Sequence, residues 1–285
     1  MRNLALPVFD ANDVFLHCVA EVTAPAQRDK FLLHQPNLAQ GAEDYSAHSA
    51  TRTWCLLPRS TRGRPEQIVS GNLSKAELVG LYDSCMVGAT GQARRVYDAL
   101  LVAAGGKCPY CAGIGQVKTL DHYLPKSVYP LHAVNPLNLV PSCRDCNTGK
   151  NAAFPFNPAD QSIHPYIDSI HFFNERWVFA EVSPGDPVTV QFYAAPPAPW
   201  SEVDRSRALT HFHSNDLPLR YSIQCGGVLG MVIGWRQGSL RHLTPQEFSA
   251  HLMEGAAATS FPINGWERTL YFGLASSEWF CSTSF

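Results

Sequence analysis

The chain has 285 residues, of which 45% are hydrophobic and 16% charged, and its 22 basic and 24 acidic side chains give a formal net charge of −2. This composition is that of a folded globular protein, because it is too apolar for a disordered chain and too often interrupted for a membrane protein. A net charge so close to zero argues against a basic coat over the whole molecule, but it leaves room for a local nucleic-acid site.

The charge is distributed unevenly along the chain. Residues 1–104 hold ten basic and ten acidic side chains and are neutral overall. Residues 105–151 hold five basic and two acidic side chains, for a net charge of +3, whereas residues 152–285 hold seven and twelve, for −5. A short basic segment therefore lies between a neutral region and an acidic one, although a segment of this length could be basic by chance.

The apolar stretches of the chain do not indicate export or membrane insertion. Asp10, Asn12 and Asp13 interrupt the apolar N-terminus, so it does not fit a signal peptide. The most apolar run, residues 223–235, is too short to cross a bilayer, which takes roughly 20 residues, and it predicts a buried helix. We therefore expect an intracellular, cytoplasmic protein with no membrane partner.

The N-terminal region is predicted to be mostly helical. Apolar residues recur at helical spacing over residues 8–22, and either Asp10 or Asn12 can serve as the N-cap. Residues 54–72 are rich in Pro, Gly and Ser and predict a loop. Three arginines of this loop could contact phosphates, although a solvated loop is the simpler interpretation; they are Arg59, Arg62 and Arg64.

Two more helices are predicted before the cysteine-rich segment. Ser74 is a candidate N-cap, and Glu77 follows three residues later, which is the pattern of a capping box. Residues 91–104 form a second helical stretch that ends at Gly105-Gly106, a common signal for a helix C-terminus. The cysteine-rich segment begins directly after these glycines.

The C-terminal region predicts a hairpin followed by helices. Two β-rich runs, residues 176–183 and 187–194, flank the turn sequence Pro184-Gly185-Asp186. Helical stretches follow over residues 201–214, 217–235, 244–256 and 264–277. Nothing in this region alone indicates a particular chemistry.

Nine cysteines in a chain expected to be intracellular do not indicate a disulfide framework. Five lie in apolar surroundings and are interpreted as small buried residues: Cys18, Cys55, Cys85, Cys225 and Cys281. The others form two Cys-x-x-Cys pairs, Cys108/Cys111 and Cys143/Cys146, which is the ligand set of a closed tetrahedral zinc site. A redox Cys-x-x-Cys is the alternative, but it needs only one pair, at the start of a helix in a βαβ unit.

The segment between the two pairs is longer than the roughly 15–20 residues of a simple zinc ribbon, so it must hold structure of its own. Residues 116–124 predict a strand that carries Asp121-His122. Residues 137–140 predict a short second strand, and residues 143–151 predict a helix. Two strands and a helix would then be tied at both ends by one zinc ion.

The order of motifs in residues 107–151 resembles the HNH endonuclease family, in its zinc-containing four-cysteine branch. The shared pattern is Cys-x-x-Cys, Asp-His-x-x-Pro-x-Ser, Asn-Leu-Val-Pro and Cys-x-x-Cys-Asn-x-x-Lys. It is carried by Cys108, Cys111, Asp121, His122, Asn138, Cys143, Cys146, Asn147 and Lys150. Many HNH enzymes have a histidine where this chain has Asn147, a variant common in the zinc-containing branch. The resemblance implies a ββα-metal core that hydrolyses phosphodiesters.

The resemblance also implies a role for each of four residues. His122 is the natural general base for the attacking water, because an imidazole titrates near neutrality. Asp121 precedes it on a strand, so the two side chains point to opposite faces unless the strand bends. By resemblance, Asp121 and the side-chain oxygen of Asn147 hold one hard cation, Mg²⁺ or Mn²⁺, and Asn138 orients His122 or steadies the loop between the strands.

Basic side chains around the motif fit a surface that contacts the DNA backbone: Lys118, Lys126, Arg144 and Lys150. No base-reading element is visible, so we expect weak sequence preference and an affinity that falls with salt. The acidic C-terminal region would repel DNA and is a candidate docking surface for a protein partner. The chain as a whole resembles HNH proteins of bacterial anti-phage defence systems such as Septu or Zorya, which work beside an ATPase or motor component.

The sequence therefore predicts an α+β protein with a small ββα-metal core, embedded in mostly α-helical flanks with one C-terminal hairpin. Three regions are expected: a helical region over residues 1–104, the nuclease core over 105–155, and a helical region with the hairpin over 156–285. The predicted activity is metal-dependent endonucleolytic cleavage of DNA, including nicking, as an antiviral defence effector. The alternatives are a non-catalytic, zinc-stabilised adaptor that binds nucleic acid and an enzyme that cuts RNA.

Overall fold

A computed structural model of the chain describes residues 1–149, 154–258 and 260–285. These residues combine helices with two-stranded antiparallel sheets, which confirms the predicted α+β class. The helices are α1 (Ala11–Ala20), α2 (Pro25–Leu33), α3 (Gln35–Thr51), α4 (Lys75–Gly80), α5 (Gln92–Val102), α6 (Arg144–Gly149), α7 (His171–Asn174), α8 (Glu202–Ser214), α9 (Leu217–Gln237), α10 (Pro245–Ala257), α11 (Trp266–Ser276) and α12 (Glu278–Ser282). The strands are β1 (Ile68–Ser70), β2 (Leu73–Ser74), β3 (Thr119–His122), β4 (Leu139–Ser142), β5 (Val178–Ser183) and β6 (Thr189–Ala194).

Local capping signals fix the starts of two N-terminal helices. Asp10, rather than Asn12, caps α1, because its Oδ1 accepts hydrogen bonds from the backbone N–H groups of Asn12 and Asp13 at 2.9 and 3.1 Å. The capping box predicted at Ser74 and Glu77 is confirmed, with the Ser74 N–H donating to the Glu77 carboxylate at 2.7 Å. These starts depend on neighbouring residues alone, so the sequence could predict them.

The helix that begins with α4 does not continue as an α-helix. Residues Leu81–Val87 form a π-helix, a rare conformation that often occurs at functional sites. Its residue Tyr82 is buried, and the Tyr82 hydroxyl donates to the backbone oxygen of Leu120 on β3 at 3.3 Å. The π-helix thus packs against the strand that carries His122, a contact that no local pattern predicted.

The predicted central hairpin is present, but its strands are shorter than expected. β3 and β4 pair antiparallel, with Asp121 opposite Val140 and His122 opposite Leu139. β3 covers only part of the predicted strand 116–124, and β4 begins later than the predicted strand 137–140, because Pro136–Asn138 forms a 3₁₀ turn first. α6 follows β4, and the end of the predicted helix 143–151 lies outside the described residues.

The hairpin lies between two hydrophobic cores. Leu120 and Leu139 belong to an N-terminal core, whose members from α1 to α5 include Val14, Phe15, Phe31, Leu38, Leu78 and Leu100. Val140 belongs to a larger core, which also contains the four paired cysteines, Trp54, Tyr123, Trp177, Phe212 and Tyr221. Since side chains alternate along a strand, the two faces of the hairpin are buried against different parts of the chain.

The C-terminal predictions hold except for the burial of one helix. β5 and β6 form the predicted hairpin around Pro184-Gly185-Asp186, and α8 to α11 match the predicted helices within a few residues. The prediction of a buried helix over residues 223–235 is right about the helix and wrong about the burial, because only one face of α9 is buried and Ile223 is 70% exposed. No helix in the part of the chain that the structure describes is long and apolar enough to cross a membrane. The division into three regions and the cytoplasmic location stay predictions.

A buried ion pair joins α8 to the segment between α6 and α7. The guanidinium of Arg207 lies 2.6 and 2.5 Å from the two carboxylate oxygens of Asp168, and both side chains are fully buried. Arg207 also donates to the backbone oxygens of Gln161 and Ser162, and the His164 N–H donates to Asp168 at 2.6 Å. The charged groups are therefore surrounded by hydrogen-bond partners, as buried charges require.

Removing one member of this pair should strongly destabilise the fold. Asp168→Ala leaves the Arg207 charge buried without its carboxylate, so we expect the free energy of unfolding to fall by about 3–5 kcal/mol. Asp98→Ala, which breaks the exposed pair between Arg94 and Asp98, should cost about 1 kcal/mol or less. Urea unfolding of both variants measures the difference, and equal losses would contradict the structural importance of the buried pair.

Candidate functional site

The four paired cysteines come together in space. Their Sγ atoms all lie within 4.8 Å of one another, and all four residues are buried free thiols. A tetrahedral zinc ion with bonds of about 2.3 Å would hold its sulfurs roughly 3.8 Å apart. The Sγ atoms of Cys111 and Cys143 are 3.9 Å apart. The predicted ligand set is therefore assembled in a group that could bind a metal such as zinc.

Backbone geometry makes the close approach of the two pairs possible. The Gly113 N–H donates to the Cys108 carbonyl at 2.9 Å, which closes the first turn. The Gly115 N–H donates to the Cys111 sulfur at 3.4 Å, and a Cβ atom at Gly115 would lie 2.4 Å from the Cys143 sulfur. Only glycine fits here, because any side chain would collide with the second pair. The second pair is placed by the end of β4 and the start of α6.

The thiols influence one another strongly. Hydrogen bonding from Cys108 holds the pKa of Cys111 well below its usual range and lowers that of Cys143 to about 6. Hydrogen bonding within the cluster also raises the pKa of Cys146. The hydrogen bonds within the cluster thus favour the thiolate, the form that binds metals, at Cys111 and Cys143, and the neutral thiol at Cys108 and Cys146, whose pKa values are raised.

Arg220 of α9 lies beside this cluster, and no sequence pattern indicated it. Its Nη1 is 3.2 Å from the Cys146 sulfur, and its Nη2 is 3.8 Å from the Cys143 sulfur. Although burial opposes it, the hydrogen bond to Cys146 raises the pKa of the Arg220 guanidinium above its ordinary value. Four thiolates around a divalent ion carry a net negative charge, and Arg220 offsets part of it.

Loss of this guanidinium should weaken metal binding without removing a ligand. We expect Arg220→Met to lower zinc affinity by about 10- to 100-fold, the range found for partners of metal ligands. Competition with a chromophoric chelator measures the affinity, and Arg241→Met, at an exposed arginine, is the matched control. Unchanged affinity in Arg220→Met would show that its charge does not support the cluster.

His122 is the last residue of β3 and is only 8% exposed. Its Nε2 lies 2.8 Å from the backbone oxygen of Ala133. A carbonyl can only accept, so Nε2 carries the proton, and in the neutral ring Nδ1 is the basic nitrogen. The Tyr82 ring packs edge-on against the imidazole, with ring centroids 4.3 Å apart. The fold thus fixes both the orientation and the tautomer of this histidine.

Asn138 holds the loop between β3 and β4. Its amide Nδ2 donates to the backbone oxygens of Leu124 and His132 at 3.1 and 3.0 Å, and its Oδ1 accepts from the Leu124 N–H at 2.7 Å. His132 directly precedes Ala133, whose oxygen bonds His122. Burial lowers the pKa of His132 to about 4, so this histidine is neutral near pH 7. Of the two roles expected for Asn138, these bonds fit the steadying of the loop.

Asp121 and His122 leave β3 in different directions. Asp121 is buried and affects Tyr110: burial raises the pKa of the Tyr110 phenol well above its ordinary value, and the nearby Asp121 carboxylate raises it further. His122 instead contacts Tyr82, on the side of the N-terminal core. This is the alternation expected of an unbent strand. Asn147 is half-buried on α6, which packs against β3.

The basic residues expected to contact DNA differ in their surroundings. Lys118 and Arg144 are exposed, whereas Lys126 is half-buried. The Lys126 ammonium forms an ion pair with Asp83 of the π-helix and lies 4.6 Å from the centre of the Tyr82 ring. Lys150 lies outside the described residues. Asp83 was missed because it is far from the motif in sequence.

One histidine of the C-terminal region supports the first cysteine turn. His211 of α8 is fully buried, with Nε2 2.9 Å from the backbone oxygen of Tyr110 and Nδ1 2.7 Å from the Ser162 hydroxyl. Tyr110 stands between Cys108 and Cys111, so α8 holds the first cysteine turn in place. His213, two residues on, is exposed.

Comparisons with known proteins give one relationship over the whole chain and one over a part. The chain is 36% identical to protein ea31 of Escherichia phage lambda over an alignment 291 positions long, which covers 98% of each protein. It is also 36% identical to Septu protein PtuB of Bacillus thuringiensis over 75 residues, 25% of this chain and 28% of that protein. No family model and no solved structure matches. Because its similarity to ea31 runs almost from end to end, the chain belongs to the family of phage lambda protein ea31.

Proposed function

We propose that this protein is a metal-dependent HNH-type endonuclease that hydrolyses phosphodiester bonds of DNA, with the nicking of one strand as its basic reaction. One observation supports this most: His122 ends strand β3 with its Nε2 held by a backbone carbonyl, and the paired strand β4 leads into a buried four-cysteine cluster. In this tautomer Nδ1 is the nitrogen that can accept a proton, which is what a general base requires.

In this proposal, His122 takes a proton from the attacking water at Nδ1. The bond from Nε2–H to the Ala133 oxygen keeps the ring in one orientation before the reaction and remains as the ring becomes an imidazolium. Asn138 acts through the loop, because it fixes the backbone on either side of the turn that presents Ala133. General-base catalysis of this kind contributes about 10²–10⁴-fold to a rate.

Asp121 and Asn147 are the residues that would hold a hard cation, Mg²⁺ or Mn²⁺, which supplies charge stabilisation at the phosphate when bound. The carboxylate of Asp121 is on a strand and the amide of Asn147 on the helix that packs against it. Lys118, Lys126, Arg144 and Lys150 would contact the DNA backbone around this position.

The zinc role in this proposal is structural. Four cysteine ligands close a tetrahedral site and leave no position for substrate or water. The cluster joins the segment before β3 to the end of β4 and the start of α6, so one ion would tie the hairpin and the helix together. Arg220 and His211 then attach this unit to α9 and α8.

The relatives favour a role in the conflict between phages and bacteria. One is a protein of phage lambda, and the other is a component of a Septu system. We assign to this chain a defence-related or phage-related activity and a protein partner, an ATPase or motor component. The acidic C-terminal region is the surface proposed for that partner.

Supercoiled plasmid and a structured RNA, each incubated with the protein and Mg²⁺, Mn²⁺ or no added ion, test the reaction and its substrate. The proposal predicts relaxed circular DNA only when a divalent ion is present. Binding of DNA without cleavage under any ion would favour the non-catalytic adaptor instead. Cleavage of RNA alone would correct the substrate class and keep the reaction type.

A further inference from the structure

The arginine-containing loop before β1 is attached to the loop that follows His122. The Ser60 N–H donates to the Val128 oxygen at 2.7 Å, and Val128 lies two residues after Lys126. The Thr61 N–H donates to the Gln67 side chain at 2.7 Å, which closes the base of the loop tip. These bonds hold residues 61–66 beside the hairpin, although the two segments are far apart in sequence.

A buried lysine lies beneath the tip. Lys75, the first residue of α4, is only 6% exposed, and its ammonium donates to the backbone oxygen of Thr61 at 2.9 Å. Within the described residues, Lys75 forms no ion pair. Burial lowers the pKa of its ammonium, and the negative charge of the exposed Glu66 partly opposes this effect. An ammonium has three N–H donors, and among the described residues the Lys75 ammonium donates to one acceptor, so it can bind a further anionic or acceptor group.

Two of the three loop arginines are available at the tip. Arg62 and Arg64 are exposed and flank Gly63, whose φ of +75° puts the tip in a left-handed turn with open space around it. Arg59 is different, because its guanidinium packs 3.8 Å from the centre of the Phe156 ring and donates to the Phe154 oxygen. The internal packing of the loop therefore uses one arginine and leaves the other two at the surface.

We propose that Arg62, Arg64 and Lys75 form a phosphate-binding site for a nucleic-acid backbone, placed to hold the strand beside His122. Guanidinium groups bind phosphate oxygens through paired hydrogen bonds, and three positive charges outweigh the single carboxylate of Glu66. The bond from Ser60 to Val128 couples this site to the reacting hairpin. The inference rests on the proposed function, because the bound backbone is that of the substrate.

Equilibrium binding of a short, fluorescently labelled DNA duplex tests this site without reliance on cleavage. The parent for all variants is folded, zinc-loaded His122→Ala protein without added divalent ion, so that the proposal predicts no cleavage during the measurement. The double variant Arg62→Gln/Arg64→Gln should bind at least about tenfold more weakly at physiological ionic strength. The slope of its log Kd against the logarithm of the salt concentration should be smaller by about 2 than that of the parent. The control Arg95→Gln/Arg241→Gln removes the same charge at two other exposed arginines and should bind nearly as the parent does.

The outcomes separate this site from the proposed function. An unchanged affinity and salt dependence in the Arg62/Arg64 variant would overturn the site and leave the nuclease proposal standing, because the parent still binds DNA. Equal losses in both double variants would also overturn it, since the effect would be one of total charge. If the parent binds no DNA even at low salt, both the site and the proposed function fail.

Discussion

Cys143→Ser is expected to release the bound zinc and to unfold the hairpin together with α6. The intact protein should contain one tightly bound zinc ion per chain. A structural zinc site contributes about 10–16 kcal/mol of binding free energy. That is as large as the roughly 5–15 kcal/mol by which a whole domain is stable. Loss of one of four ligands should therefore prevent folding of the core.

Elemental analysis and circular dichroism measure the two parts of this prediction. Cys225→Ser is the matched control, because Cys225 is also buried. Its thiol donates to the backbone oxygen of Ser222 and does not belong to the cluster. We expect the control to keep its zinc and most of its thermal stability. Folded, soluble protein without zinc, or a Cys143→Ser variant as stable as the parent, would contradict a structural metal centre.

His122→Ala should lower the rate of plasmid nicking by about 10²–10⁴-fold, the contribution of a positioned general base. The imidazole also packs against Tyr82, so the variant will lose some stability, and its melting temperature and zinc content must be measured alongside the rate. Folded protein with a full complement of zinc and almost no nicking is the expected result.

His213→Ala is the control for this variant, because it removes an exposed imidazole from α8. Its nicking rate should match that of the parent. An equal loss of rate in the two variants would show that His122 has no special place in the reaction. A fully active His122→Ala protein would exclude it as the general base.

The parts of the fold that depend on neighbouring residues could be predicted from the sequence. The two Cys-x-x-Cys pairs place their sulfurs by local turns, and the four thiols do converge. The capping box at Ser74 is another local feature, and it is confirmed. The α+β class follows from the periodicity of the elements, and it is confirmed as well.

Features that depend on distant residues could not be predicted. Arg220 reaches the cysteine cluster from a helix more than 70 residues away in sequence, and Asp83 pairs with Lys126 across 43 residues. No pattern in the sequence distinguishes the π-helix at Leu81–Val87 from an ordinary α-helix. The sequence did not predict the exposed face of α9, because the glycines of this helix lie among apolar residues and hide the amphipathic pattern.

The roles expected for Asp121, His122 and Asn147 stay predictions. The structure shows Asp121 near Tyr110 and His122 near Tyr82, so the two functional groups approach the end of β3 from different sides. The proposed chemistry requires that a phosphate bound at the end of β3 lie within reach of both the cation held by Asp121 and the imidazole of His122.

The nicking of supercoiled plasmid in the presence of Mg²⁺ or Mn²⁺, compared between the zinc-loaded protein and its His122→Ala variant, tests the central claim most directly. The proposal predicts that the parent converts supercoiled DNA to relaxed circles, whereas the equally folded variant leaves it supercoiled. The same pattern of products from both proteins, whether cleaved or uncleaved, would contradict it.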